Sequence, residues 1–347
     1  MKLNRLLALF MALVLMLALA ACDSSETSSE EESKEASSQA SLEAESKEAS
    51  SEETVSREYN DGTSTSTPVL YKVTDEDGDV VWLFGSIHVG EEDFYPLPDY
   101  VEEAFVGADK LAVEVDIIAF QQDLTAQIEA LKPLVYADGT TIADHIPAEL
   151  YEEAKQALTD LKLYGSALDY YCPAMWSSTI DSALYAEMGA DPELGVDMYM
   201  INWAYELEME VVDIESAKFQ YEMLGGFSDD LQAMLLKGSL QSVADPDTAK
   251  ESLFAMMNAW KTGDAEGILQ ASDGDTTDMT EEELALYDEY LNAMVVERNR
   301  SMTQFAEDAL DSGKEVFICV GALHVLGEGG MADLLEQQGY TVEQITE

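Results

Sequence analysis

Val80-Val81-Trp82-Leu83-Phe84-Gly85-Ser86-Ile87-His88 and, far downstream, Val316-Phe317-Ile318-Cys319-Val320-Gly321-Ala322-Leu323-His324 share one design. In each, a short apolar run rich in β-branched and aromatic residues, the mark of a buried strand, leads into Gly-x-x-His. Each histidine therefore falls just past the carboxyl end of a strand, where open α/β sheets collect ligands and chemistry. The chain has only three histidines, so two of the three sit in this device. The glycine is expected to supply a positive φ, letting the strand end and turn its next side chains over a cleft.

Outward from the first stretch, 69–74 and 79–84 read as strands joined through Asp77-Gly78, a pair that accepts a tight hairpin turn. Residues 99–107 place Val101, Ala104 and Phe105 at helical spacing, and 110–116 returns to strand character. Strand, helix, strand predicts a βαβ unit with parallel pairing and a right-handed crossover. Two helical insertions follow, at about 120–208 and 217–292, separated by a short strand near 210–214. Within them, helices are predicted from about Pro147, over 173–188 and over 196–207, and the methionines (Met223, Met234, Met256, Met257, Met279) read as adaptable core. A long helix ends near Ser312, ahead of the second His stretch. A helix over 330–338 and a strand over 341–345 close the chain. The expected fold is α/β (α+β), a central mixed, largely parallel sheet carrying a large helical insertion.

Glu114 interrupts the apolar run 110–116, and an isolated buried carboxylate is expensive. Either a structural Arg or Lys holds it, or it belongs to a catalytic site with a metal; the two histidines favour the second. His145 has no strand and no glycine three positions before it, so it reads as a solvated or capping residue. Cys319 reads as a small core hydrophobe.

The N-terminus is an address. Lys2 and Arg5 precede an uncharged run to Ala21, and Leu19-Ala20-Ala21-Cys22 resembles a bacterial lipobox, so 1–22 is expected to be a lipoprotein signal peptide with Cys22 as the lipidated residue. Residues 23–67, dominated by Ser, Glu, Ala and Thr, read as a disordered tether with a reach of about 35–40 Å. The domain proper would span 68–347, outside the cytoplasmic membrane and touching it only through the lipid. The formal net charge of −54 argues against nucleic acid and against anionic lipid as partners, so neither is expected.

Taken in order, these motifs resemble the TraB/GumN family, whose animal relatives include the Tiki membrane metalloproteases. The resemblance runs through nearly all of 68–347: Leu83-Phe84-Gly85-Ser86-Ile87-His88-Val89-Gly90, Val113-Glu114-Val115-Asp116, Gly195-Val196-Asp197, Ile214-Glu215-Ser216 with Gln220, Glu297-Arg298-Asn299-Arg300, and Gly321 to Gly330. It implies metal-dependent hydrolysis of peptide bonds, with His88, His324 and Glu114 matching the paired histidines and the acid. Erythromycin esterases, more distant relatives, imply an alternative in which a histidine acts as general base without metal. Two imidazoles and a carboxylate suit Mn²⁺, Co²⁺ or Zn²⁺, and such an ion would make hydroxide available for attack on a peptide or a small ester or amide. Glu114 would be third ligand or general base. Arg298 would stabilise an oxyanion or orient Glu114, unless it is a surface helical residue paired with a nearby acid. Ser86 lacks the Gly-x-Ser-x-Gly elbow of a serine nucleophile. A surface lipoprotein that captures a cation or cationic ligand without turnover is the reading from another class. The metal site requires the ligand atoms of His88, Glu114 and His324 to lie within about 5–6 Å of one another.

Overall fold

A computed structural model describes residues 64–274, 276–277 and 279–346. The signal peptide, the lipobox Cys22 and the tether as far as residue 63 lie outside the described residues. Residues 64–67, expected to end the tether, are instead packed on the domain. The Ser66 hydroxyl donates to the Phe94 carbonyl at 2.8 Å, and the Thr67 N–H to the Lys261 carbonyl at 2.7 Å.

Six strands form one sheet: β1 (Leu70–Thr74), β2 (Val80–Ser86), β3 (Lys110–Val113), β4 (Glu210–Asp213), β5 (Val316–Gly321) and β6 (Thr341–Ile345), in the spatial order β4-β3-β5-β2-β1-β6. β4, β3, β5 and β2 run parallel, and β1 pairs antiparallel with both β2 and β6. The sheet is thus mixed and largely parallel, as the sequence pattern implies. The β1–β2 turn forms because Asp75 Oδ1 accepts the N–H groups of Asp77, Gly78 and Asp79, while Gly78 takes φ +93°.

One pairing differs from expectation. β2 and β3 are parallel but do not touch, because β5 is inserted between them. The reason is burial. Every residue of β5 is buried, whereas β4 at one edge and β6 at the other are largely exposed or half-buried. A strand apolar on both faces is stable only at the centre of a covered sheet. Phe317 of β5 packs on Phe84 and Phe105 with ring centroids 5.5 and 5.2 Å apart. Each such ring withdrawn from water contributes about 1.5–3 kcal/mol.

The insertions are helical and divide between two cores. One, continuous with the sheet, includes Trp176, Ile180, Met200, Leu253 and Trp260. The other gathers Leu134, Met175, Tyr221, Leu224, Leu231, Leu235 and Met294. Met234, Met256 and Met257 are buried and Met223 and Met279 partly so, all as packing residues. Cys172 and Cys319 are free thiols in the core. Among the described residues no helix is long and apolar enough to cross a membrane.

Candidate active site

The four parallel strands end on the same side of the sheet, and each delivers a chemical group within three residues of its end. Read across the sheet, β4 gives Glu215, β3 gives Glu114, β5 gives His324 and β2 gives His88. The ladder continues past β3 and β4, with the Ile214 N–H on the Val113 carbonyl and the Glu215 N–H on the Glu114 carbonyl. This fixes the two acids side by side.

The groups converge over Gly321. A Cβ built there would stand 3.3 Å from Glu114 Oε1, 3.6 Å from His324 Cδ2 and 3.9 Å from His88 Nε2. This corrects the reason for the glycine. Gly321 has φ −48° and Gly85 is not among the positive-φ glycines; neither is needed for turning. What they provide is space, since a Cβ on Gly85 would lie 3.0 Å from the Ala322 Cα. The floor of the site is bare backbone because side chains from three strands must meet above it.

Glu114 is 8 % exposed and its oxygens are engaged separately. Oε2 accepts from Arg298 Nη2 at 2.5 Å and from Gln220 Nε2 at 3.2 Å, and Oε1 accepts the Gly321 N–H at 2.9 Å. Burial alone would raise its pKa, but Arg298, then the two histidines, hold the carboxyl far below the ordinary range. Arg298 is buried, not at the surface. Its Nε and Nη2 donate to Glu215 at 2.8 and 2.9 Å, and its Nη1 reaches the Met294 carbonyl at 3.2 Å. Met294 lies in a π-helical turn, Asn292–Val296, just before the Glu297–Asp311 helix that carries Arg298. With its nitrogens directed to Glu114, Glu215 and Met294, Arg298 fits the orienting role better than the oxyanion role. The structural reading of Glu114 holds, with Arg298 as its partner.

Each imidazole is turned by a partner on Nδ1. His324 Nδ1 lies 2.7 Å from Asn299 Oδ1, and Asn299 Nδ2 donates to the Gly329 carbonyl at 2.7 Å. The amide oxygen therefore faces the ring, so Nδ1 carries the proton and Nε2 is the unprotonated nitrogen, 3.8 Å from Glu114 Oε1. Burial, then Arg298, pushes the His324 pKa down to about 3. His88 Nδ1 lies 2.6 Å from Asp197 Oδ2, while the Ser86 hydroxyl donates to Asp197 Oδ1 at 2.6 Å. Burial works against the charged ring, but the charge and hydrogen bond of Asp197 outweigh it and lift the His88 pKa to about 9. Ser86 thus braces the acid that braces His88, and is not disposed as a nucleophile.

Asp197 is positioned by a tight seam. The Val196 N–H donates to the Ile87 carbonyl at 2.8 Å, and a Cβ on Gly195 would be 2.4 Å from the His88 carbonyl oxygen. Asp197, Glu215, Gln220 and Asn299 were quoted in the sequence motifs but not among the candidate site residues. Their signal lay in those ordered motifs and not in any local pattern of the sequence. The third histidine lies elsewhere. His145 is half-buried and stacks on Tyr136 with centroids 4.0 Å apart, its Nε2 2.9 Å from Thr140 Oγ1. It is a packing residue in place of the solvated or capping one expected.

Among the described residues no three His, Cys, Asp or Glu side chains are already drawn together at metal-ligand spacing. The donor chemistry nevertheless fits a divalent ion. Metal-bound imidazoles are held through the other ring nitrogen by a carboxylate or amide, as His88 and His324 are. The 3.8 Å between His324 Nε2 and Glu114 Oε1 is slightly wider than two donors about 2.0–2.2 Å from one ion present.

A largely parallel sheet whose strand ends gather two Gly-x-x-His histidines and an Arg-held glutamate defines a class, and the sequence comparison agrees with it: the chain belongs to the TraB/PrgY/gumN family, whose model matches residues 69–344. Among curated relatives it is similar to the uncharacterized protein YbaP of Escherichia coli strain K12, 24% identical over 257 residues that cover 73% of this chain and 86% of YbaP. YbaP of Shigella flexneri matches to the same extent. No solved structure gives a significant match.

Proposed function

We propose that the chain is a lipid-anchored, extracytoplasmic, metal-dependent hydrolase that cleaves peptide bonds, with His88, His324 and Glu114 holding a divalent cation, Mn²⁺, Co²⁺ or Zn²⁺. One observation carries this reading: both imidazoles have Nδ1 committed to a partner, Asp197 or Asn299, and both turn their other edge to the volume over Gly321 beside Glu114 Oε1. Such an ion supplies Lewis acidity and lowers the pKa of water to near neutrality. Glu114, kept ionised by Arg298, is suited to bind a cation and is a weak base. Gln220, bridging Glu114 and Glu215 at 3.2 and 2.9 Å, fixes the plane of both carboxylates. Burial of Glu114, Arg298 and His324 strengthens each of these interactions.

A second reading keeps the residues and drops the metal. In it a histidine is the general base: His324, whose Nε2 carries no proton, is the candidate, while His88, its pKa lifted to about 9 by Asp197, would hand a proton to the leaving group. Metal analysis of the purified chain, followed by turnover of a peptide and ester library with and without chelator, separates the two. Cleavage abolished by chelator and restored by one of the three ions supports the first; chelator-resistant cleavage lost in both His88→Ala and His324→Ala supports the second. Absence of turnover of any peptide, ester or amide leaves a binding lipoprotein. The mass of the mature N-terminus tests the anchor, a diacylglyceryl group on Cys22 being expected.

A further inference from the structure

The chain enters the domain on the edge of the sheet where the candidate site lies. Leu70 of β1 faces Phe84 of β2, Phe84 faces Cys319 of β5, and Gly321 follows two residues on. With strands about 4.8 Å apart and a rise of about 3.3 Å per residue, Leu70 stands about 12 Å from the floor of the site. The residues before it are firmly seated. A Cβ on Gly263 would lie 2.2 Å from the Thr67 carbonyl oxygen, and the Thr67 N–H donates to the Lys261 carbonyl. The neighbouring Trp260 donates from Nε1 to the Gly85 carbonyl at 2.7 Å, which ties this seat to the floor of the site. Further out, the Thr65 hydroxyl donates to the Asp93 carbonyl at 2.8 Å. Asp93 is five residues past His88, and such a stretch spans at most about 18 Å.

Of the three site groups, the one nearest this entry is also the most exposed. The His88 side chain is 23 % exposed, against 9 % for Glu114 and 1 % for His324, and it follows β2, the strand that pairs with β1. A segment leaving Ser64 needs about six residues to reach it, and 41 residues, 23–63, precede Ser64 after the lipobox cysteine. They contain no proline, so every bond among them is an ordinary secondary amide. A linker of this length, rich in Ser, Glu and Ala, presents its own bonds at an effective concentration on the order of 1 mM, at or above the KM of most enzymes. Charge opposes the encounter, since both parts are acidic; connectivity supplies it.

We propose that the chain is its own substrate: the site cuts the segment 23–57 in cis and frees the domain from the lipid on Cys22. This rests on the hydrolase and lipid-anchor readings. Water adds across one backbone amide and the C–N bond breaks. The hydroxyl stays on the carbonyl carbon, the acid so formed gives its proton to the departing nitrogen, and that nitrogen becomes the new amino terminus of the domain. Because the crossing takes about six residues, bonds beyond residue 57 stay out of reach and trimming ends there.

The test follows intact mass with time for the full mature chain in detergent, treated with chelator and then given Mn²⁺, Co²⁺ or Zn²⁺, at two concentrations about 100-fold apart. The expected product is a domain whose new amino terminus lies between residues 24 and 58. Its half-life should change by less than about 2-fold on dilution, whereas cutting between molecules would slow about 100-fold. His324→Ala is expected to stay whole, also when mixed with dilute wild type. A chain lacking 23–57, in which the described domain is untouched, should stay whole while still cutting library peptides; this variant serves if His324→Ala does not fold. A tether left intact by a chain that cuts library peptides would overturn the inference and leave the hydrolase standing. So would a half-life that scales with concentration, or a cut that persists in the shortened chain. A chain that cuts neither its own segment nor any library peptide would sink both readings.

Discussion

Replacing Arg298 with Met tests how the centre of the site is held. The guanidinium donates to Glu114 at 2.5 Å and to Glu215 at 2.8 Å, and the acids' side chains are only 9 % and 5 % exposed. Met fills much of the same volume but leaves two carboxylates without a cation, a defect worth about 3–5 kcal/mol. Protonation sets a ceiling on that cost. Keeping one buried carboxyl neutral costs about 1.36 kcal/mol for each pH unit above its unfolded pKa of about 4.3, hence about 4 kcal/mol at pH 7.5 and about 1 kcal/mol at pH 5. The wild type contributes no such slope. The Glu114 pKa is depressed on folding, so its stabilisation is complete above the unfolded value and is lost only as pH falls through the lower folded one. Urea unfolding of wild type and Arg298→Met at both pH values is therefore expected to give a difference of about 4 kcal/mol that shrinks to about 1–2 kcal/mol at the lower pH. Adding Glu215→Gln to Arg298→Met should recover part of the loss at pH 7.5. A difference that is the same at both pH values, or below about 1 kcal/mol at pH 7.5, would refute the account of Arg298 as the counter-ion of a buried acid pair.

His88 is expected to behave in the opposite sense. Its pKa is raised to about 9, so in metal-stripped chain its contribution is present below about 6.5 and fades as pH rises through 9; Asp197→Asn should flatten the Tm profile over that window. Gly321→Ala requires no change of backbone but sets a methyl 3.3 Å from Glu114 Oε1, so hydrolysis should fall by 10-fold or more, on the order expected for a misplaced catalytic group, while far-ultraviolet circular dichroism stays native. Gly195→Ala, 2.4 Å from the His88 carbonyl oxygen, should instead prevent normal folding, read as loss of soluble chain. Ser86→Ala should lower activity by roughly 10-fold while retaining cleavage, because it loosens Asp197 without removing a reacting group; complete loss would reinstate Ser86 as a nucleophile.

Much of the fold is written locally. The Asp99–Gly107 and Pro173–Met188 helices and the Thr341–Ile345 strand run between the bounds their patterns imply, because stop and start are local chemistry: Pro173 opens one helix and Gly189 closes it at φ 87°. His88, Glu114 and His324 were legible for a related reason, since a polar residue at the end of an apolar strand has few places to go. The position of β5 between β2 and β3 was not, because adjacency in a sheet depends on which strand can tolerate cover on both faces, a comparison across the whole chain. The roles of Asp197, Glu215, Gln220 and Asn299 were hidden likewise. Each acts on a partner more than 20 residues away, or, for Gln220 and Glu215, through a pair that joins such a partner. Nothing in a local window distinguishes a brace from a helix residue facing solvent.

The strand at the middle of the sheet is almost the last to be made. A chain that emerges from the ribosome amino end first must keep the flanks of β2 and β3 unpaired until residues 316–321 arrive to close the gap between them. His324 arrives with the same segment, so an unfinished polypeptide has neither a continuous sheet nor both imidazoles. If the proposed hydrolase reading holds, synthesis itself is thereby a safeguard: reactivity is withheld until the C-terminal end has been built and docked.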